Sequence, residues 1–328
     1  MPIRSPRAIG AALLLSALSA PAAAEIAHLL LDTSGSMRDR MGWIGESLNL
    51  IEQRTLDRVL ATGRVPGFGL IGFSEDSTEL GAGWAADIDA TVSSVRITGG
   101  TEDGLLAVRE FLRSSGLRDG VILLISDEPR SEIEPVDLVS LIDTLRDRGN
   151  VVHAVIHGNG PRLGRESPYR LEADGQWRSV DGARLPGDLP GLAGAAASAY
   201  ARLARASGGG VWLIDAVKEH PRRFGEELAD WLLAERLKLM RVRVNVQGVL
   251  APGQAVTLDA SDADHVVDGH AVRRWRWDWD GDGRWDDHGP VVARVFRAPG
   301  RHPVTVELTD DQPDAVSETV TVTVNISR

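Results

Sequence analysis

Between residues 26 and 238, short apolar runs alternate with longer stretches of helical periodicity. The runs are Ile26 to Leu31, Phe68 to Phe73, Val121 to Ile125, Val151 to Ile156 and Val211 to Ile214. Each is apolar on both faces, which suits strands of a sheet covered on both sides; a half-exposed strand would alternate. Apolar residues at helical spacing fall near 44–60, 103–113, 136–147, 192–206 and 221–238. Strand and helix in alternation predict a doubly wound α/β fold with a mostly parallel sheet. Near residue 240 the period drops to two. "RVRVNVQGVL", "RVFRAP", "HPVTVELTD" and "ETVTVTVNIS" follow one another with turn residues between them and no helical stretch. That pattern predicts a small antiparallel β-sandwich. The expected organisation is an α/β domain over 25–238 and a sandwich over 241–328, joined almost directly.

Residues 158–190 break the α/β pattern. Within them "YRLEADGQWRSV" has two alternating arms around an Asp-Gly turn, which predicts a hairpin. The segment follows the strand that ends near His157, so it opens on the carboxyl edge of the sheet, where a recognition rim would stand. Arg162, Arg165, Arg170, Arg178 and Arg184 could face an acidic partner, although Glu166, Glu172, Asp174, Asp181 and Asp188 nearly balance them. A solvated surface hairpin is the alternative. His153 and His157 share one face of a strand at a spacing too wide to clamp one ion, and are read as ordinary sheet residues.

Composition narrows the class. Residues 1–24 carry Arg4 and Arg7, an apolar stretch from Ala11 to Leu18 and the small run Ala22 to Ala24, the layout of a secretory signal peptide with cleavage expected after Ala24. Loss of this segment removes two arginines and no acids, taking the net charge from -11 to -13. So acidic a chain repels nucleic acid. No later stretch reaches the roughly 20 apolar residues of a membrane span. With no cysteine, disulfides and thiolate metal sites are excluded. An exported bacterial protein, periplasmic or secreted, is the expectation.

Candidate chemistry begins at "LLLDTSGSM", where a buried strand ends in Asp32, Ser34 and Ser36. Asp127 follows another run, "VILLIS", and Thr101 lies in the glycine-bearing loop "TGGTEDG". In doubly wound sheets ligands bind beyond the carboxyl ends of the strands, where the strand order reverses. If the two strands flank that point, all five side chains converge. Hydroxyls and carboxylates without imidazole or thiolate select a hard cation, Mg²⁺ or Mn²⁺ before zinc. Taken singly, each residue could instead cap a helix or a turn.

"DTSGS", the "GGT" loop and the later aspartate, in that order, resemble the metal-ion-dependent adhesion site of von Willebrand factor type A domains. The resemblance covers about residues 26 to 236 and takes in "ARASGGGVWLI" and "FGEELADWL" as last strand and closing helix. It implies that Ser34, Ser36 and Thr101 ligate the metal directly, with Asp32 and Asp127 as the anionic shell. An Asp or Glu carboxylate of a protein partner would fill the open position. The chain departs from the family in Glu128 and Pro129 after the second aspartate, and in Glu102 and Asp103 after Thr101, which predict a more acidic rim.

In the second domain, "RRWRWDWDGDGRWDD" places Trp275, Trp277 and Trp279 on one strand face, where they are expected in the sandwich core. The segment resembles the signature of PKD domains, with "VTLDAS" before it and "VTVELTD" after it. Such domains act as spacers or interaction modules. Asp278, Asp280, Asp282 and Asp286 also read as the opening of a calcium loop, giving a second candidate site for Ca²⁺; a plain acidic turn is the alternative. It is not an EF-hand, because loop position twelve holds Gly289 rather than glutamate.

These readings point to an exported, non-enzymatic adhesion protein that captures a protein partner through a divalent metal, with the sandwich as spacer or second contact surface. Two alternatives remain at this level. An exposed cation beside carboxylates could activate water in a metal-dependent hydrolase. The metals could instead serve only the folding of a structural cell-envelope component.

Overall fold

The computed structural model describes residues 25–62, 64–74, 77–97, 102–158, 167–172, 175–185, 192–267, 269–312, 315 and 317–327. The proposed signal segment, Thr101, Arg162, Arg165, Glu166, Asp174 and Asp188 lie outside them.

Eight strands form the first sheet: β1 (Ala27–Asp32), β2 (Phe68–Phe73), β3 (Ser77–Gly83), β4 (Val121–Ser126), β5 (Val151–Ile156), β6 (Pro168–Leu171), β7 (Trp177–Ser179) and β8 (Val211–Leu213). Their order is β3-β2-β1-β4-β5-β8-β6-β7. The five strands read from apolar runs, β2, β1, β4, β5 and β8, are mutually parallel. Leu29, Leu30 and Leu31 are buried, so both faces of β1 are covered, as its unbroken apolar run requires. Helices α1 (Ile44–Ala61), α2 (Ala85–Ser94), α3 (Gly104–Ser115), α4 (Leu138–Asp147), α5 (Leu192–Ala197), α6 (Ala199–Ser207), α7 (Ile214–Glu219) and α8 (Pro221–Glu235) complete the layers. Helix α1 packs on α8 across Gly225, where an added Cβ would lie 2.9 Å from the Ser47 carbonyl oxygen. Any larger residue there would force the helices apart.

The strand order reverses between β1 and β4: from β1 the chain steps outward to β2 and β3, and from β4 it steps the other way to β5 and β8. Two features went unread in the sequence. β3 adds an antiparallel edge to β2, and α2 follows it. The register against β2 slips between Leu70 and Ile71, which spoils the period-two signal.

The predicted hairpin exists as β6 and β7, with Leu171 opposite Trp177, yet it is not a solvated surface feature. It pairs antiparallel with β8 and extends the main sheet, because Tyr169, Leu171 and Trp177 are buried. Arg170 turns inward over the Trp212 ring and towards Glu227, and Arg178 pairs with Glu172. These two arginines therefore pair with acids of their own domain.

His153 sits in the middle of β5 in a chain of aromatic contacts that runs from Trp43 through Phe224 and Trp212 to Trp231. Both of its functions there are structural. Its Nδ1 accepts the Gly210 amide at 3.0 Å, and its ring packs edge-on against Trp231.

The remaining strands are β9 (Met240–Arg241), β10 (Asn245–Gly248), β11 (Ala255–Asp259), β12 (Asp264–His265), β13 (Val272–Asp278), β14 (Asp287–His288), β15 (Val291–Val295), β16 (Gly300–Asp310) and β17 (Ser317–Ile326). They form sheets β10-β11-β15 and β14-β13-β16-β17, with β9 and β12 paired beside them. The pairings are antiparallel throughout. Trp277 and Trp279 are buried between the sheets with Val256, Leu258, Val306 and Val324, and Trp275 packs against that core.

Glu318 of β17 braces the junction. It accepts hydrogen bonds from Arg58 of α1 (2.9 Å) and from the amides of Leu239 (2.7 Å) and Met240 (3.1 Å). Glu318→Ala leaves the Leu239 and Met240 amides without this acceptor, while Arg58 keeps the Leu237 carbonyl, and is expected to cost about 2 kcal/mol. Urea unfolding of parent and variant measures the difference, and an unchanged midpoint would show that the brace carries no stability.

Candidate functional site

The reversal point gathers most of the predicted residues. Asp32 is the last residue of β1 and fully buried. Its Oδ1 accepts the Ser34 amide at 2.8 Å, and its Oδ2 accepts the Ser126 hydroxyl at 2.8 Å. Ser34 then begins a short 3-10 turn, Gly35–Asp39, which throws Ser36 back over the strand end. The Ser34 and Ser36 hydroxyl oxygens stand 3.0 Å apart, and Ser36 donates to Asp127 Oδ1 at 2.9 Å. Asp127 directly follows β4 and is buried. Four of the five predicted side chains therefore form one connected oxygen cluster; Thr101, the fifth, lies outside the described residues.

Burial pushes the Asp32 carboxyl up to about 6, against the opposing pull of its hydrogen bonds from Ser34 and Ser126; the nearby Glu102 adds to the rise. So much clustered oxygen under a low-dielectric roof favours an added positive charge.

Part of that charge comes from the protein. Arg40 Nε lies 3.1 Å from Asp127 Oδ2, and Arg40 Nη1 lies 3.0 Å from His157 Nδ1 and 4.0 Å from Asp215. His157 thus stands at the site's edge, held by an arginine.

Two of the acids expected at the rim turn inward, while Glu128 stays exposed. Glu102 and Asp103 are both buried rather than displayed. Asp103 caps α3 by accepting the Leu106 amide, and it takes a two-point contact from Arg130 at 2.8 and 3.1 Å. Glu102 faces Ser131, whose amide donates to the Glu102 carbonyl at 2.6 Å. Tyr200 of α6 accepts the Gly104 amide and fixes the start of α3.

Sequence reading missed Ser126, Arg40 and Arg130. Ser126 carried a usable signal, since it sits at the carboxyl end of an apolar run beside Asp127. The arginines carried none, because an arginine shows its partner only in three dimensions.

The acidic turn of the sandwich is also ordered. Asp278, Asp280 and Asp286 each offer a carboxylate oxygen within 4.8 Å of the others, while the exposed Asp282 accepts the Arg284 amide and stays outside that group. Asp278 accepts the amides of Gly281 (2.7 Å) and Gly283 (3.0 Å). Burial works to raise its carboxyl, but those amides outweigh it and hold the group below the usual carboxylate range.

Among the described residues, no helix is long and apolar enough to cross a membrane.

Residues 242–326 match the family model of the PKD domain. No curated protein matches the sequence. Among solved structures, the chain is similar to proximal thread matrix protein 1 from the mussel byssus, at 14% identity and a TM-score of 0.33, over 42% of this chain and 38% of that one. The chain thus spans well under half of that protein's length. The mussel protein has also been described with a zinc-occupied MIDAS motif. A conserved hypothetical protein, BatB, from Bacteroides thetaiotaomicron aligns at 18% identity and a TM-score of 0.36, over 63% of this chain and 98% of that one. A von Willebrand factor type A structure from Catenulispora acidiphila aligns at 13% identity and a TM-score of 0.39, over 92% of this chain and 65% of that one. The strand order reverses between β1 and β4 with the "DTSGS" turn lying over that point, so the chain is a doubly wound α/β domain, similar to von Willebrand factor type A structures, followed by residues 242–326, which match the PKD domain.

Proposed function

We propose that this chain is an exported, non-enzymatic adhesion protein whose α/β domain captures a protein partner through a divalent cation, Mg²⁺ or Mn²⁺. In this reading Ser34, Ser36 and Thr101 ligate the ion directly, and Asp32 and Asp127 supply the outer negative charge. An Asp or Glu carboxylate of the partner takes the open position. The observation that carries the reading is the oxygen cluster at the reversal point, with Ser34, Ser36 and Asp127 linked by contacts of 2.9 and 3.0 Å. The donor set fits the ion: hydroxyl and carboxylate oxygens, with no thiolate available anywhere in the chain. Neutral hydroxyls in direct contact leave a bound cation strongly electrophilic, which suits capture of an external carboxylate.

Binding is favoured over hydrolysis because the imidazole at the rim is already engaged: His157 Nδ1 contacts Arg40. Asp32 has both carboxylate oxygens occupied by Ser34 and Ser126. Neither group is placed as a ready general base. The PKD domain serves as spacer or second contact surface, and its Asp278, Asp280 and Asp286 form a candidate Ca²⁺ turn.

Mn²⁺ binding followed by electron paramagnetic resonance tests the reading. Asp127→Ala is expected to weaken binding about 10- to 100-fold, while Asp280→Asn, in the sandwich turn, leaves the α/β component unchanged. Capture of the partner from envelope extract should vanish with EDTA and in Asp127→Ala. Equal Mn²⁺ affinity in parent and Asp127→Ala would remove the proposal.

A further inference from the structure

Arg40 closes the 3-10 turn that carries Ser36, with its backbone amide donating to the Met37 carbonyl. Its side chain therefore starts within the oxygen cluster, and it runs from there to the surface. The Asp127 side chain beside it is 1% exposed and the Arg40 side chain 27% exposed.

The guanidinium is held at two points. Nε lies 3.1 Å from Asp127 Oδ2, and Nη1 donates to His157 Nδ1 at 3.0 Å with Asp215 Oδ1 4.0 Å away. Lys218 of α7 donates to the Asp39 carbonyl at 2.7 Å, which anchors the same turn from outside the cluster. A guanidinium carries five N–H donors in a fixed plane. Among the described residues, Nη2 donates no hydrogen bond. A positioned, half-exposed guanidinium thus keeps donors in hand at the edge of the proposed cation centre.

Its charge bears on that centre. A divalent ion drawn to the Ser34, Ser36 and Asp127 oxygens has to share Asp127 with a fixed positive charge, and two cations beside one carboxylate repel each other. An external carboxylate removes the conflict, because it is attracted to both. It also has two oxygens, so one can complete the ion while the other accepts from the guanidinium in a charge-assisted hydrogen bond. A neutral carbonyl offers one oxygen and no charge, and satisfies neither demand.

We propose that Arg40 is the residue through which the α/β centre selects a carboxylate: Nη2 receives one oxygen of the partner's Asp or Glu while the other oxygen completes the cation. The inference rests on the cation reading of this centre and adds the residue that decides what the cation captures. Cation and carboxylate binding become mutually dependent, each strengthening the other by the same factor. The centre then holds its ion weakly alone and firmly in the complex.

The experiment measures Mn²⁺ affinity by electron paramagnetic resonance in the full-length protein, with acetate as the carboxylate probe against chloride at equal ionic strength. Asp280→Asn is present throughout, so that the sandwich turn does not contribute. Acetate should tighten Mn²⁺ binding to the parent by about 5-fold or more. Arg40→Gln should bind Mn²⁺ more tightly than the parent in chloride and lose most of the acetate gain. Arg40→Lys keeps the charge but not the planar fork; it should stay close to the parent in chloride, again with the acetate gain reduced, and it carries the comparison if Arg40→Gln fails to fold. A merely structural ion pair would lower the melting temperature of both variants and leave the acetate gain intact. No acetate gain in the parent, or an undiminished gain in the variants, would overturn the inference while leaving the cation reading in place. Absence of Mn²⁺ binding to the parent would remove that reading, and this inference with it.

Discussion

Trp277→Ala is expected to destabilise the sandwich by about 3–5 kcal/mol, the range for truncating a large buried aromatic. Trp277 has no solvent exposure, stacks beside Trp279 with ring centroids 6.0 Å apart, and donates its indole N–H to the Gly289 carbonyl at 2.9 Å. Truncation therefore removes packing from the sandwich core and leaves the part-buried Gly289 carbonyl without its donor. Because the two domains have separate hydrophobic cores, the loss should appear as an early transition confined to one of them. Calorimetry of the full chain measures it: the sandwich transition should fall while the α/β transition moves little. A single transition shifted as a whole would show that the junction couples the domains more tightly than separate cores require.

The second large effect is an acid-induced loss of stability in the α/β domain, traced to His153. Burial holds this imidazole down to about 3, with Arg170 of β6 and Arg236 just past α8 acting in the same direction. The ring is packed against Trp212 and Trp231, and Glu227 reaches it only through Arg170 and Trp212. An unfolded histidine takes up its proton near 6.5. Between those values the unfolded chain holds more protons than the folded one. The stabilisation is therefore complete above about pH 6.5 and is lost as pH falls towards 3. Relative to neutral pH the loss should reach about 2 kcal/mol at pH 5 and about 3 kcal/mol at pH 4. His153→Asn retains an acceptor for the Gly210 amide and removes the titration. Denaturant unfolding across pH 7 to 4 should give a shallower decline for the variant, whatever its stability at pH 7. Parallel pH profiles would exclude His153 as the source.

Both effects arise from groups that the sequence marked only in part. The alternating tryptophans were readable as core because period two fixes a shared strand face, whichever strands later cover it. His153 was readable as a sheet residue, but its burial among aromatic rings was not. That environment is assembled from β5, β8 and α8, and no local window of sequence contains all three. The same limit applies to the hairpin: its arms were visible, yet docking on β8 depends on a strand that follows it in the chain.

What the sequence by itself determined was the doubly wound class, the all-β second domain, and the strand-end positions of Asp32, Ser34, Ser36 and Asp127. These follow from side-chain period and from chemistry at the ends of apolar runs, both local properties. The tertiary structure alone decided that β1 and β4 are neighbours at the reversal point, that Arg40 faces Asp127, and that Arg130 turns Asp103 inward. Each is a pairing between segments distant in the chain, and strand order and packing, not local propensity, set which distant charges come within reach of one another.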